Sequence, residues 1–182
     1  MTASPPPPEI AFLASPLGGA ITITIALTAF AATWFWARRP GRPDRWAAVL
    51  AAAGTSLLMA LITLVAVVAG WWRGAFLDIA LLVGLAIYFP FSVAGYTLWL
   101  GVYRWLAPKV RRPLLTYAAA VLVFIPVVLI VDPIQMGRGQ FEIGGGYTVW
   151  IDALLGQVVM LSPAIFYEFF RRKLGRAIPS AV

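Results

Sequence analysis

The sequence predicts an all-α fold: an integral membrane five-helix transmembrane bundle, N-terminus outside and C-terminus cytoplasmic. Three observations predict it. Five apolar runs have the length of a bilayer crossing, the basic residues gather on one side of those runs, and tryptophans mark their ends.

Of 182 residues, 62% are hydrophobic and 12% charged, and the mean hydropathy is +0.88. Soluble domains carry about 45–50% apolar and about 25% charged residues, and a water-facing surface could not hide the excess without large apolar patches. Residues 1–16 hold five prolines and no Lys or Arg, which predicts an extended surface tail. Without a basic n-region the first apolar run reads as a retained anchor rather than a signal peptide.

The five runs, together a single transmembrane domain over 17–170, are Leu17–Trp36, Trp46–Ala69, Phe76–Tyr103, Leu114–Val131 and Tyr147–Phe170. A crossing of about 30 Å of hydrocarbon needs roughly 17–25 residues, and only a helix satisfies its own backbone there. The third run is longer than that and contains Pro90, so a tilt or kink is expected. Along the second run Ala48, Ala52, Ser56 and Ala60 recur at every fourth position. Such a ridge lets a neighbouring backbone come close: ordinary helix packing is the plain account, and a seam for a homo-oligomer or a membrane-complex partner is the alternative.

Orientation follows from the basic residues. Arg38, Arg39, Arg42 and Arg45 follow the first run; Arg104, Lys109, Arg111 and Arg112 follow the third; Arg171, Arg172, Lys173 and Arg176 follow the fifth, the last group in a basic tail over 171–182. Only Arg73 and Arg138 fall on the other side, so the three clusters are expected in the cytoplasm and the chain in the cell membrane as a multi-pass protein. Trp34, Trp36, Trp46, Trp99 and Trp105 lie near the inner ends of the runs and Trp71, Trp72 and Trp150 near the outer ends, as an interfacial aromatic belt requires. The net charge of +7 is therefore a topology signal, and no nucleic-acid partner is expected.

With no cysteine and no histidine, thiolate and imidazole metal sites and Ser-His or Cys-His mechanisms are excluded, so no metal is expected. No cofactor is expected either; any chemistry falls to carboxylates, hydroxyls, aromatics, arginines and backbone. Asp44 sits among the loop arginines and is expected to pair with them, and Glu168 with Arg171 or Arg172 one turn on. Asp78, Asp132, Glu142 and Asp152 share the outer side. Asp152 is the sharpest, because its helical neighbours are apolar and an acid within a span signals a polar cavity or a partner. For these acids the plain alternative is structural: a helix N-terminal acid at Asp78, a span-ending turn at Asp132-Pro133, an Arg138–Glu142 pair. The glycine-rich stretch 132–146 reads either as a lid or as a flexible connector. Tyr88, Phe89, Phe91 and Tyr96 surround Pro90, and Pro126 and Pro163 interrupt the last two runs. Three bent helices could enclose a ring-lined cavity, although rings in such helices more often simply pack.

The run Asp132-Pro133, then Phe141, then Gly145-Gly146-Tyr147-x-Val149 leading into a span resembles a segment of the small integral-membrane carotenoid hydratases, and more loosely the membrane lycopene and terpenoid cyclases. It covers roughly thirty residues. The sequence departs from the pattern in carrying Phe141 where a tryptophan is expected, in a lower span count, and in lacking the paired acids, of which Pro163 to Glu168 is a stretched echo. The resemblance implies acid-initiated chemistry on a polyprenyl alkene without a redox cofactor. The expectation is thus an enzyme protonating an alkene or epoxide of a lipophilic substrate, with Asp152 or Asp132 as the general acid, Asp78 and Glu142 nearby, and Tyr88, Phe89, Phe91, Tyr96, Tyr147 and Trp150 as the pocket wall. The alternatives are a non-catalytic subunit or assembly factor of a larger membrane complex, and a small-molecule carrier.

Overall fold

The computed structural model describes residues 15–38, 43–73, 85–123, 125, 126, 129, 130, 142–144 and 148–177. The first helix, α1 (Pro16–Arg38), starts where Ser15 precedes Pro16. The Ser15 hydroxyl accepts the Gly18 N–H at 3.0 Å, and proline at the first helical position gives up an N–H that has no partner there anyway. α2 (Pro43–Val68) also opens on a proline. It ends at Gly70, whose φ of 68° needs glycine. The Gly70 N–H reaches the Val67 carbonyl at 3.0 Å and the Trp71 N–H reaches Ala66 at 2.8 Å, the Schellman pattern that closes a helix.

The turn delivers the chain into β1 (Trp72–Arg73). β1 pairs antiparallel with β2 (Glu142–Ile143), with Trp72 opposite Ile143 and Arg73 opposite Glu142. Between them lie α3 (Leu85–Leu106) and α4 (Pro113–Leu122), and α5 (Val149–Ala177) follows. Apart from the two-residue ladder, the described architecture is all helical. α1, residues 44–68 of α2 and residues 149–174 of α5 are long and apolar enough to cross a membrane.

The fourth run does not form one helix over 114–131. α4 stops at Leu122, and the Val123 N–H turns back to the Ala120 carbonyl at 3.2 Å. Pro126, which has no N–H for the Leu122 carbonyl, is the local cause. The fifth run, by contrast, stays helical through Pro163 and on into the basic tail. The carbonyl that Pro163 leaves unpaired is that of Val159, and the Ser162 hydroxyl lies 2.9 Å from it. One residue on, the Met160 carbonyl accepts the Tyr117 hydroxyl at 2.9 Å. Local satisfaction of this kind is what keeps a proline-bearing helix whole in an apolar medium.

α2 is the hub, packing most extensively on α5, then on α3, and touching α1; α4 leans on α5 and α3. Ala48 and Ala52 are fully buried and Ser56 nearly so, so this ridge is covered by the chain's own helices. Two hydroxyl pairs stitch the hub: Ser92 lies 2.8 Å from Ser56, and Ser162 lies 3.0 Å from Thr55. At one end the alanines Ala47, Ala51 and Ala164 make room for Tyr103, Tyr117 and Tyr167. Tyr103 meets Tyr117 edge-on at 5.3 Å and Tyr167 at 6.1 Å, the geometry the ring quadrupoles favour.

Candidate functional site

Where α1 and α3 end, α2 begins and α5 nears its end, charged and aromatic side chains converge. Arg104 at the end of α3 forms an ion pair with Asp44 at the start of α2, and the two side chains are only 23% and 32% exposed. The Arg104 guanidinium also lies 5.2 Å from the Trp36 ring centre and 5.9 Å from that of Tyr167. Arg45 stands 5.1 Å from the Trp36 ring and donates to the Trp36 carbonyl at 3.0 Å. Guanidinium stacked on rings keeps a delocalised charge stable as water is withdrawn. Beside this pair, the two oxygens of Glu168 are divided between helices. Oε1 accepts the Tyr103 hydroxyl at 2.8 Å and Oε2 accepts Arg171 at 2.9 Å.

A cavity of about 320 Å³ opens at this end, with Asp44, Arg104, Tyr167, Glu168 and Arg171 on its wall. A second, of about 410 Å³, lies between the start of α4 and the last turns of α5. Both acids here have cations as partners, so the cluster clamps four helix ends together and leaves neither carboxylate idle. The expected pairing of Glu168 holds at Arg171, three residues on. Asp44 pairs instead with Arg104, 60 residues away on another helix.

The acids singled out from the sequence lie elsewhere. Asp152 is in the first turn of α5, half-buried and engaged, its N–H donating to the Thr148 carbonyl at 3.1 Å. Glu142 is in β2, opposite Arg73, and its side chain lies outside the described residues, as do Asp78, Asp132 and Tyr147 entirely. Tyr88 is in the first turn of α3, its side chain likewise outside. The four described ring candidates do not share a wall. Phe89 and Tyr96 pack against the buried set Ala37, Val49, Ala52 and Val93, whereas Phe91 and Trp150 are 55% and 64% exposed. Among the described residues no group of three acids is placed to hold a metal ion.

Sequence reasoning passed over Gln157. It is 5% exposed on α5, and among the described residues neither its Nε2 nor its Oε1 meets a hydrogen-bond partner. The signal was present, an amide in the middle of an apolar run, but attention to ionisable groups missed it. Tyr103, Tyr117 and Tyr167 were missed because nothing local sets them apart. Comparison with family models, with curated proteins and with solved structures finds no match to this chain.

Proposed function

We propose that this chain crosses the cell membrane five times, with its basic end in the cytoplasm, and serves as a non-catalytic subunit or assembly factor of a larger membrane complex. The observation that carries this reading is the divergence of the ring candidates: Phe91 and Trp150 turn out of the bundle while Phe89 and Tyr96 fill it. Rings that face outward are suited to a neighbouring helix or to the interface, not to a common pocket. The clamp at the basic end supports it too, because ion pairs and ring contacts between four helix ends hold a rigid shape for a partner to recognise.

A second reading keeps the acid-initiated terpenoid chemistry, favoured by the half-buried position of Asp152 among apolar neighbours on α5. Asp152→Asn separates the two. In a deletion strain, a subunit restores the complex on a native gel and leaves the lipid extract unchanged whether position 152 is Asp or Asn. Loss of a lipid product with the complex intact overturns the subunit reading in favour of the enzyme. Orientation is tested on the chain's own background, since it contains no cysteine. Lys109→Cys is expected to resist an impermeant maleimide on intact cells and Gly144→Cys to react; the reverse pattern inverts the topology.

A further inference from the structure

The stripe Ile165, Phe169, Arg172 and Lys173 repeats at intervals of four and then three or four residues, so one face of α5 passes from apolar to cationic within about two turns, roughly 12 Å. Opposite it stands Leu114 in the first turn of α4, and the space between is the 410 Å³ groove. Its apolar residues are open: Leu114 is 38%, Ile165 55% and Phe169 53% exposed. At its polar end neither Arg172 nor Lys173 enters an ion pair among the described residues. Lys173 rests 5.9 Å from the Phe169 ring centre. Among the described residues the one acid on the groove wall, Glu168, does not oppose them. The Glu168 side chain is 12% exposed and its charge is answered by Arg171.

We infer that this groove holds a single anionic phospholipid of the leaflet at the basic end, its phosphate between Arg172 and Lys173 and one acyl chain along Leu114, Ile165 and Phe169. Charge complementarity selects the occupant. Two cations that no acid among the described residues pairs, above an apolar channel, match a phosphodiester above a hydrocarbon tail, and such basic pockets between membrane helices favour anionic headgroups. A soluble phosphate has no use for the apolar half, and a zwitterionic lipid brings its own cation to the two already there. The inference rests on the reading that these helices cross a bilayer, which the cysteine labelling above tests separately.

The experiment is native mass spectrometry of the full chain released from nanodiscs containing equal amounts of phosphatidylglycerol and phosphatidylcholine. The wild type is expected to retain one phosphatidylglycerol in preference to phosphatidylcholine. Arg172→Gln with Lys173→Gln reduces that preference roughly thirtyfold, the factor two cations near an anionic surface supply. Leu114→Trp, which fills the channel, removes the retained lipid. Lys109→Gln with Arg111→Gln removes the same charge from the same end and keeps the preference, and millimolar glycerol phosphate does not displace the lipid. Unchanged preference in the first double variant, equal loss in the control, or displacement by glycerol phosphate overturns the inference.

Discussion

Gln157→Leu is expected to make the protein more stable. The amide lies 5% exposed with both polar atoms unmatched among the described residues, and leaving such a group buried without its hydrogen bonds costs about 1–3 kcal/mol. Leucine is close to glutamine in volume and can occupy the same space on α5 without opening a large void. Removing the unmet polar atoms therefore returns on the order of 1–3 kcal/mol, a rise in Tm of a few degrees for a chain of this size. The assay is thermal unfolding in mild detergent, followed by circular dichroism and by loss of the monodisperse peak. Gln157→Ala is the control: it removes the same polar atoms but leaves a cavity, so its gain is smaller or reversed. A lower Tm for Gln157→Leu refutes the reasoning, because it means that the amide is partnered in the folded protein. A higher Tm together with failed complementation of a deletion strain identifies Gln157 as a group kept for work at the expense of stability.

Glu168→Ala leaves the buried Tyr103 hydroxyl without its acceptor, while the half-exposed Arg171 stays hydrated, and is expected to cost about 2 kcal/mol, against about 1 kcal/mol for Tyr103→Phe, by the same unfolding assay. Arg104→Lys keeps the charge but loses the broad guanidinium that lies within cation–π reach of both Trp36 and Tyr167, so a loss of about 1 kcal/mol is expected; a silent variant shows that the rings do not hold the guanidinium. Gly70→Ala forces a side chain into left-handed backbone at the end of α2 and is expected to cost about 1 kcal/mol. Ala52→Leu, at a fully buried point of the small-residue ridge, pushes neighbouring helices apart and costs about 1–3 kcal/mol or prevents assembly of the bundle; an unperturbed variant places that ridge on an open face instead.

Much of the helical framework could be read from the sequence because it is written locally. Ser15-Pro16 marks the start of α1, Gly70 the end of α2, and the apolar pattern after Val149 most of α5, whose last turns run on into the basic tail. Proline was less legible. Pro163 is accommodated because Ser162 and Tyr117 meet the carbonyls it loosens, whereas the helix before Pro126 ends at Leu122, and nothing within either run announces which outcome follows. The polar cluster was the least legible part. Asp44 and Arg104 lie 60 residues apart and Tyr103 and Glu168 lie 65 apart, so their meeting depends on which helices cross and at what height. The pair that could be read, Glu168 with Arg171, is the one contained in a single helical turn.

The Thr55–Ser162 pair joins residues separated by 107 positions. A ribosome adding about 5–20 residues per second takes roughly 5–20 s to make that stretch. For that interval the hydroxyl face of the hub helix has emerged while the helix that will cover it does not yet exist. The bilayer receives an incomplete assembly in which Ser56 already has its own-helix carbonyl and Ser92, while Thr55 still waits for Ser162. Slowing translation before residue 149 is thus a way to trap the bundle half-built, and α5 acts as its closing piece.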